Sequence, residues 1–404
     1  MDYKNIVIAF SGGLDTSYLA AWFKETTNAK ITTVTINTGG FSDEEIKTIN
    51  ARAKELGADD HRMVDGRQET FDRVIRMLIQ GNVLRGSVYP LSVSAERITQ
   101  AEILVRTAAE VGADAVVHGS TGAGNDQIRF DVAVRTLAPG LKILAPVREH
   151  ALTRDQETTW LRTRNISVKD KTSVYSVNAG MWGTTIGGGT IHDSWQSIPD
   201  DAYPTVVAPN DAPDAGATVT IQFEKGVPVS LDGKTLPGPV LVEKLNALGA
   251  ANGVGRGVHL GDTIMGIKGR IAFEAPGAMI LITAHRELEK LVLSRKQQFW
   301  KDKLGDFYGA LLHEAEFYDP VARDIEAMIE SSQRVVTGEV RVSLKKGILT
   351  VEGIRSAYSL MAAAKATYGE TQSLWDGRDA EGFTKIYGLQ GRLAKNALKN
   401  AGEK

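Results

Sequence analysis

Ile6-Val7-Ile8-Ala9-Phe10-Ser11-Gly12-Gly13-Leu14-Asp15-Thr16-Ser17 carries the chain's first structural signal. Its first five residues form a continuous apolar run, the pattern of a strand buried on both faces of a parallel sheet. Small residues follow, and a helical pattern begins straight after them. A helix that starts just past a strand end offers unpaired backbone N–H groups and the positive end of its dipole, which suits a phosphate. The competing reading is a tight turn with Asp15 or Thr16 as a plain N-cap. The string is not a Walker A loop, which needs G-x-x-x-x-G-K-[ST], and it is not G-x-G-x-x-G. A carboxylate among phosphates is repulsive, so Asp15 fits a Mg²⁺ that bridges them.

Outward from this string, short apolar runs at 31–37, 61–64, 115–118 and 142–144 read as further strands. Helix-period stripes lie between them: Ile46, Ile49, Ala53 and Leu56; Val74, Ile75, Leu78 and Ile79; Leu104, Ala108 and Val111. Alternation of this kind predicts an α/β domain with a parallel sheet. Residues 170–216 are rich in Gly, Ser, Thr, Asp and Pro and read as a long loop. From 217 the pattern is α+β. Hairpins are expected over 218–231 and 335–352, and helices near 239–248, 277–313 and 319–333. An amphipathic tail starts at Glu381 (Phe383, Ile386, Leu389, Leu393) and ends in lysines.

The chain has 404 residues, so two or three domains are expected. With 47 Lys+Arg against 49 Asp+Glu, its formal net charge is −2, which argues against a dedicated nucleic-acid binder. Cysteine is absent, excluding disulfides, thiolate metal sites and cysteine nucleophiles. No apolar run approaches ~18 residues, so no membrane span is expected. Met1-Asp2-Tyr3-Lys4 lacks the character of a signal peptide, and the expected location is cytoplasmic.

A second loop, His118-Gly119-Ser120-Thr121-Gly122-Ala123-Gly124-Asn125-Asp126-Gln127-Ile128-Arg129-Phe130, again follows a strand and opens a helix. Ligands of open α/β sheets sit at the carboxyl ends of strands, so two such loops at one edge imply a shared site. The plainer reading is an Asn-Asp helix cap with Arg129 as a surface charge.

The first string resembles the SGGxDS/T pyrophosphate loop of the N-type ATP pyrophosphatase superfamily, whose members cleave ATP between the α- and β-phosphates. The second resembles the HGxTGxGNDQxRF signature of the argininosuccinate synthase family. Tyr89-Pro90-Leu91 with Ser94 and Arg97, Ala145-Pro146-Val147-Arg148-Glu149, Tyr175-Ser176, Phe223-Glu224-Lys225-Gly226-Val227-Pro228-Val229 and Gly253-Val254-Gly255-Arg256 continue the likeness over nearly the whole chain. The resemblance implies an adenine nucleotide alpha hydrolase-like nucleotide-binding domain over 1–168, an α+β synthetase domain over 169–365 and a C-terminal helical arm over 366–404. It also implies a homotetramer, ATP and Mg²⁺, and condensation of citrulline with aspartate through citrullyl-AMP.

Site roles follow from the same resemblance. Ala9, Phe10, Ser11, Gly12, Gly13, Leu14, Asp15, Thr16 and Ser17 would cradle ATP, with Ile36 and Gly119 beside the nucleotide. Ser11 and Asp15 carry the catalytic assignment, and Asp15 the Mg²⁺. Thr121, Asn125 and Asp126 would bind aspartate. Tyr89, Ser94, Asn125, Arg129, Ser176 and Thr185 would surround citrulline.

Several positions depart from the family. Ile36-Asn37-Thr38-Gly39-Gly40-Phe41 replaces Ala-Asp-(Ile/Leu)-Gly-Gln-Gly, and Ala123 replaces a common lysine. The family's citrulline-binding Glu and Tyr fall at Gly261 and Phe273, leaving His259, Asp262 or His192 as candidate replacements. An uncompensated buried ammonium is costly, so an acylated citrulline or another ureido or amide acceptor is the alternative substrate. Two further rivals are a tRNA-modifying enzyme of the superfamily and a catalytically silent nucleotide-binding protein.

Overall fold

A computed structural model describes residues 3–168, 174–364 and 374–402. The junctions expected at 168/169 and 365/366 fall outside the described residues. Residues through Ser356 pack as one compact unit, and those from Ala357 form a second.

The first unit begins with five parallel strands, β1 (Asn5–Ala9), β2 (Lys30–Asn37), β3 (Asp60–Asp65), β4 (Ala115–Val117) and β5 (Lys142–Leu144), ordered β3-β2-β1-β4-β5. Successive strand residues point to opposite faces. Ile6 and Ile8 therefore join Leu19, Phe23 and Leu161 in one apolar layer, while Val7 joins Val34, Leu104, Val116 and Phe130 in the other. β1 lies at the centre. The chain runs outward from it to β2 on one side, and β4 flanks it on the other. The loops after β1 and β4 thus meet at the topological switch point, where ligands of such sheets bind.

The Gly-rich segment read as a loop instead contains β6 (Tyr175–Gly180) and β7 (Gly183–Gly188). Its composition lacks an apolar alternation, and tertiary pairing overrides the weak local signal. The turn between these strands lies on the loop after β2: Met181 N donates to the Thr38 carbonyl at 3.0 Å. A Cβ at Gly40 would collide with the Ala179 carbonyl, so the close approach requires glycine where the family has glutamine.

The antiparallel hairpin β8 (Ala217–Glu224) and β9 (Val227–Leu231) forms as expected, followed by the short β10 (Lys234–Thr235). β11 (Arg256–Asp262) and β12 (Lys268–Glu274) complete a four-stranded sheet ordered β11-β12-β7-β6. β13 (Gly338–Lys345) and β14 (Ile348–Arg355) complete a five-stranded sheet ordered β10-β9-β8-β13-β14. The helical stretch 277–313 divides at Ser294, whose side chain and that of Gln297 form a capping box that starts the helix Arg295–His313. Helices Gly238–Ala251, Pro276–Val292 and Pro320–Gln333 share one large core with both antiparallel sheets.

In the second unit, Asp376 caps the helix Gly377–Tyr387, and Leu389–Asn400 follows. Phe383, Ile386, Tyr387 and Leu393 are exposed along this pair.

Candidate functional site

The loop after β1 is held by its own hydroxyls. Ser11 Oγ lies 3.2 Å from Thr16 Oγ1, Gly13 N donates to Ser11 Oγ at 3.3 Å, and Ser17 Oγ donates to the Gly12 carbonyl at 3.5 Å. The N-cap of the helix Leu14–Thr26 is Gly13, with no side-chain capping bond. Asp15 and Thr16 are therefore not N-caps, and the first-turn N–H groups keep their phosphate-binding character. The Asp15 carboxylate borders the cleft, with Arg154 Nη1 at 3.8 Å. Behind it lies Glu157, whose pKa is raised to about 8 by burial and by the Asp15 charge.

The loop after β4 passes close above the same helix. A Cβ at Gly119 would lie 3.2 Å from Asp15 Cβ. Asn125 precedes the helix Asp126–Leu137 but makes no capping bond, and its Oδ1 accepts from Ile264 N at 3.0 Å. Asp126 pairs through one oxygen with Arg97 Nε and through the other with Arg129 Nη1, each at 2.9 Å. Burial would raise the Asp126 pKa, but the two guanidiniums outweigh it and hold the carboxyl below its usual value. Arg129 Nη2 also donates to the His313 carbonyl at 3.1 Å, at the C-terminal end of its helix, where a cation meets the negative end of the dipole. Burial and then Arg129 depress His313 to about 3, so this imidazole is neutral near pH 7. Arg129 is thus no isolated surface charge.

The opposite wall combines a loop and a sheet face. Tyr89 is buried and donates from its hydroxyl to the Ser92 carbonyl at 2.6 Å, and Ser94 Oγ donates to the Leu91 carbonyl at 3.2 Å. Leu91 and Val93 hold φ of 60° and 64°, a left-handed conformation costly for non-glycine residues and common at functional sites. Under this loop Glu96 is fully buried and accepts from Thr38 Oγ1 at 2.7 Å and Trp182 N at 2.9 Å. Burial dominates its titration and raises it to about 7. On the sheet, Asn178, Thr185 and Phe273 lie in one cross-strand row. Phe273 is 2% exposed and packs against Tyr89 with ring centroids 5.3 Å apart. His259 also stacks on Tyr89, with ring centroids 5.4 Å apart.

Together these walls enclose a cleft of about 1000 Å³. Residues 5–167 match the family described as the Arginosuccinate synthase N-terminal HUP domain, and 175–394 match the Arginosuccinate synthase C-terminal domain. The argininosuccinate synthase of Xanthomonas campestris pv. campestris is 41% identical over 398 residues, covering 97% of this chain and 98% of its own length. That of Pelodictyon phaeoclathratiforme is 39% identical over 391 residues, covering 96% and 97%. The enzyme of Chlorobium phaeobacteroides is 40% identical over 391 residues, with the same coverage.

This chain belongs to the argininosuccinate synthase family.

It is accordingly a carbon–nitrogen ligase of the type that releases AMP and pyrophosphate. Of the residues that the family likeness singled out, Ala9, Phe10, Ser11, Asp15, Thr16, Ile36 and Gly119 border the cleft. Thr121, Asn125, Asp126, Arg129, Tyr89, Ser94 and Thr185 border it as well. Ser176 does not. It lies two residues from Asn178 along β6, opposite Gly187 and outside the cleft. At the departures, Phe273 keeps the ring of the family's tyrosine, and the space beside Gly261 is taken: a Cβ there would lie 2.5 Å from His259 Nε2.

Sequence reasoning assigned no role to Arg97, Asn178, Glu157 or His313. Asn178 lies two residues from Ser176 on a strand that the Gly-rich sequence did not signal. His313 ends a helix far along the chain and carried no local signal.

Proposed function

We propose that this protein condenses citrulline with aspartate through a citrullyl-AMP intermediate, yielding argininosuccinate, AMP and pyrophosphate. The observation that carries the reading is the meeting of the Ser11–Asp15–Thr16 loop and the Thr121, Asn125, Asp126, Arg129 cluster in one cleft.

A ureido oxygen is a poor nucleophile, and its carbon is a poor electrophile. Transfer of the adenylyl group to that oxygen expels pyrophosphate and turns the oxygen into a leaving group. The aspartate amine then adds to the ureido carbon, and AMP departs with the oxygen. The chain's task is to align three ligands and stabilise phosphate charge. The uncapped first turn of the helix Leu14–Thr26, with Ser11 and Thr16, serves the leaving pyrophosphate. Gly119 lets the second loop close over the nucleotide, next to Ile36. Thr121, Asn125 and Asp126 serve the attacking amino acid, with Asp126 toward its ammonium. Arg129 serves the acceptor carboxylate, and Tyr89, Ser94 and Thr185 line its path. The oxygen donor of Asp15 fits Mg²⁺, which when bound neutralises the phosphates. A homotetramer is consistent with the apolar side chains on the C-terminal helices.

A second reading, with an acylated citrulline or another uncharged acceptor, is favoured by one feature. No carboxylate stands at Gly261, and burial and then Arg85 lower the pKa of the neighbouring His259. A product assay with ATP, aspartate and either citrulline or Nα-acetylcitrulline separates the two. Faster turnover of the free amino acid supports the first reading, whereas turnover of the acetylated form alone replaces the acceptor and keeps the adenylylation.

A further inference from the structure

His313 is the last residue of the helix Arg295–His313, so its carbonyl has no partner within the helix. Arg129 supplies one: Nε and Nη2 both donate to that carbonyl, at 3.3 and 3.1 Å. The imidazole of the same residue lies between two further groups. Its Nε2 is 3.1 Å from the Asp262 carbonyl, and its Nδ1 is 3.3 Å from Arg129 Nη2. A carbonyl only accepts, so the proton sits on Nε2, and Nδ1 is left as an acceptor for Arg129. Arg85 Nη2 also donates to the Asp262 carbonyl, at 3.1 Å, and holds it in place. Two residues further on, Ile264 N donates to Asn125 Oδ1. The turn between β11 and β12 is thus tied directly to Asn125 and, through His313, to Arg129.

A guanidinium has five N–H donors. In Arg129 the His313 carbonyl takes one from Nε and one from Nη2, His313 Nδ1 takes the other from Nη2, and Asp126 Oδ1 takes one from Nη1 at 2.9 Å. That leaves the second Nη1–H, and both Arg129 and His313 border the cleft. With one donor to offer, the cation depends on its orientation for a directed bond to a carboxylate. Asp126 cannot fix that orientation alone, because it touches only Nη1 and is shared with Arg97. We infer that His313 is a positioning residue for the acceptor: its imidazole, braced on the Asp262 carbonyl, fixes the Arg129 guanidinium so that the remaining N–H meets the acceptor carboxylate. This rests on the reading of Arg129 as the acceptor's anchor. A protonated imidazole would set an N–H against Arg129 in place of the lone pair, and burial, then Arg129 and Arg85, keep the ring neutral near pH 7.

The test is steady-state kinetics of the full-length protein with ATP, aspartate and either citrulline or Nα-acetylcitrulline, which carry the same carboxylate, for wild type, Arg129→Lys, His313→Leu and His313→Asn. Thermal melting followed by circular dichroism checks the fold of each. His313→Leu keeps the bulk and loses the hydrogen-bond acceptor, whereas the amide oxygen of His313→Asn stands in for Nδ1. His313→Leu is expected to raise the acceptor KM about three- to tenfold, the worth of one hydrogen bond, with the ATP KM unchanged. His313→Asn should restore most of that loss, and in the Arg129→Lys background His313→Leu should add nothing. A role in packing alone predicts the reverse order, with His313→Leu tolerated and the smaller His313→Asn worse. That order, or equal increases for all three substrates, overturns the proposal, while a raised acceptor KM in Arg129→Lys keeps the Arg129 reading. An unchanged acceptor KM in Arg129→Lys, or no turnover of either acceptor by the wild type, overturns the reading and the proposal together. If His313→Leu does not fold, His313→Phe, a flat ring without nitrogens, carries the same comparison.

Discussion

The two walls of the cleft are built on different principles. The wall proposed to hold the nucleotide is the carboxyl edge of a parallel sheet, and its groups lie within about a dozen residues of the ends of β1 and β4. Much of what it offers is backbone: the first turn of a helix, and a glycine that lets one loop pass over another. The wall proposed to hold the acceptor is assembled from the strained loop at 89–95, a row across three antiparallel strands, and a histidine at a helix end. Its chemistry lies in side chains brought together over long sequence distances. A backbone-built wall keeps its ligand class while side chains vary, whereas a side-chain wall changes preference with a few substitutions. Gly261 and Phe273 are substitutions of that kind.

The contrast is broken most directly at Asp15, the side chain proposed to hold the metal on the first of these walls. Asp15→Asn is expected to lower ATP–pyrophosphate exchange by about 10²–10³-fold without changing the melting temperature, since the side chain borders the cleft rather than the core. Near-normal exchange would return Asp15 to a structural role.

Glu96 tests the joint between the walls. Its pKa rises from 4.5 to about 7 on folding, so the folded protein binds the proton more tightly than the unfolded chain. Stability should fall as pH rises from about 4.5 to about 7 and level off above that, by about 3 kcal/mol in all. Glu96→Gln should remove this component, which denaturant unfolding at pH 5 and pH 8 would reveal. An unchanged pH slope in the variant would contradict the assignment.

Asp126→Ala should raise the aspartate KM by the equivalent of about 1.5–3 kcal/mol, with far less effect on the ATP KM. Because Asp126 also braces Arg97 and Arg129, a smaller rise in acceptor KM is expected. Equal effects on all three substrates would mean that the residue only supports the helix.

The smallest effect is expected on the acceptor wall. Gly261→Glu should destabilise the fold by about 1–3 kcal/mol, because His259 holds the space beside it. The double variant His259→Ala/Gly261→Glu should regain most of that loss in chemical denaturation. No recovery would place the strain elsewhere.

This difference between the walls also explains what the sequence revealed. The apolar run at 6–10, the small residues after it and the helix periods specify the parallel sheet and its switch point through local rules, so the phosphate loop was legible. The hairpin Tyr175–Gly188 was not, because Gly, Ser and Thr carry little strand signal and the pairing with β12 comes from tertiary contacts. The break at Ser294 was present in the sequence as Ser294 followed by Gln297, although the apolar period runs through it. Arg97 stood within a recognised string, but its partnership with Asp126 arises only once the helix Glu96–Glu110 packs beside the helix that follows the loop after β4. Glu157 was hidden for the same reason: its place beside Asp15 depends on a helix that packs back onto the first loop.

The most direct test of the central claim follows the acceptor's oxygen. Citrulline labelled with ¹⁸O at the ureido position, incubated with ATP, aspartate and the protein, should yield argininosuccinate and AMP in equal amounts, with the label in the AMP phosphate. Unlabelled AMP formed alongside argininosuccinate, or AMP formed with no aspartate-dependent product from any ureido acceptor, would contradict the account.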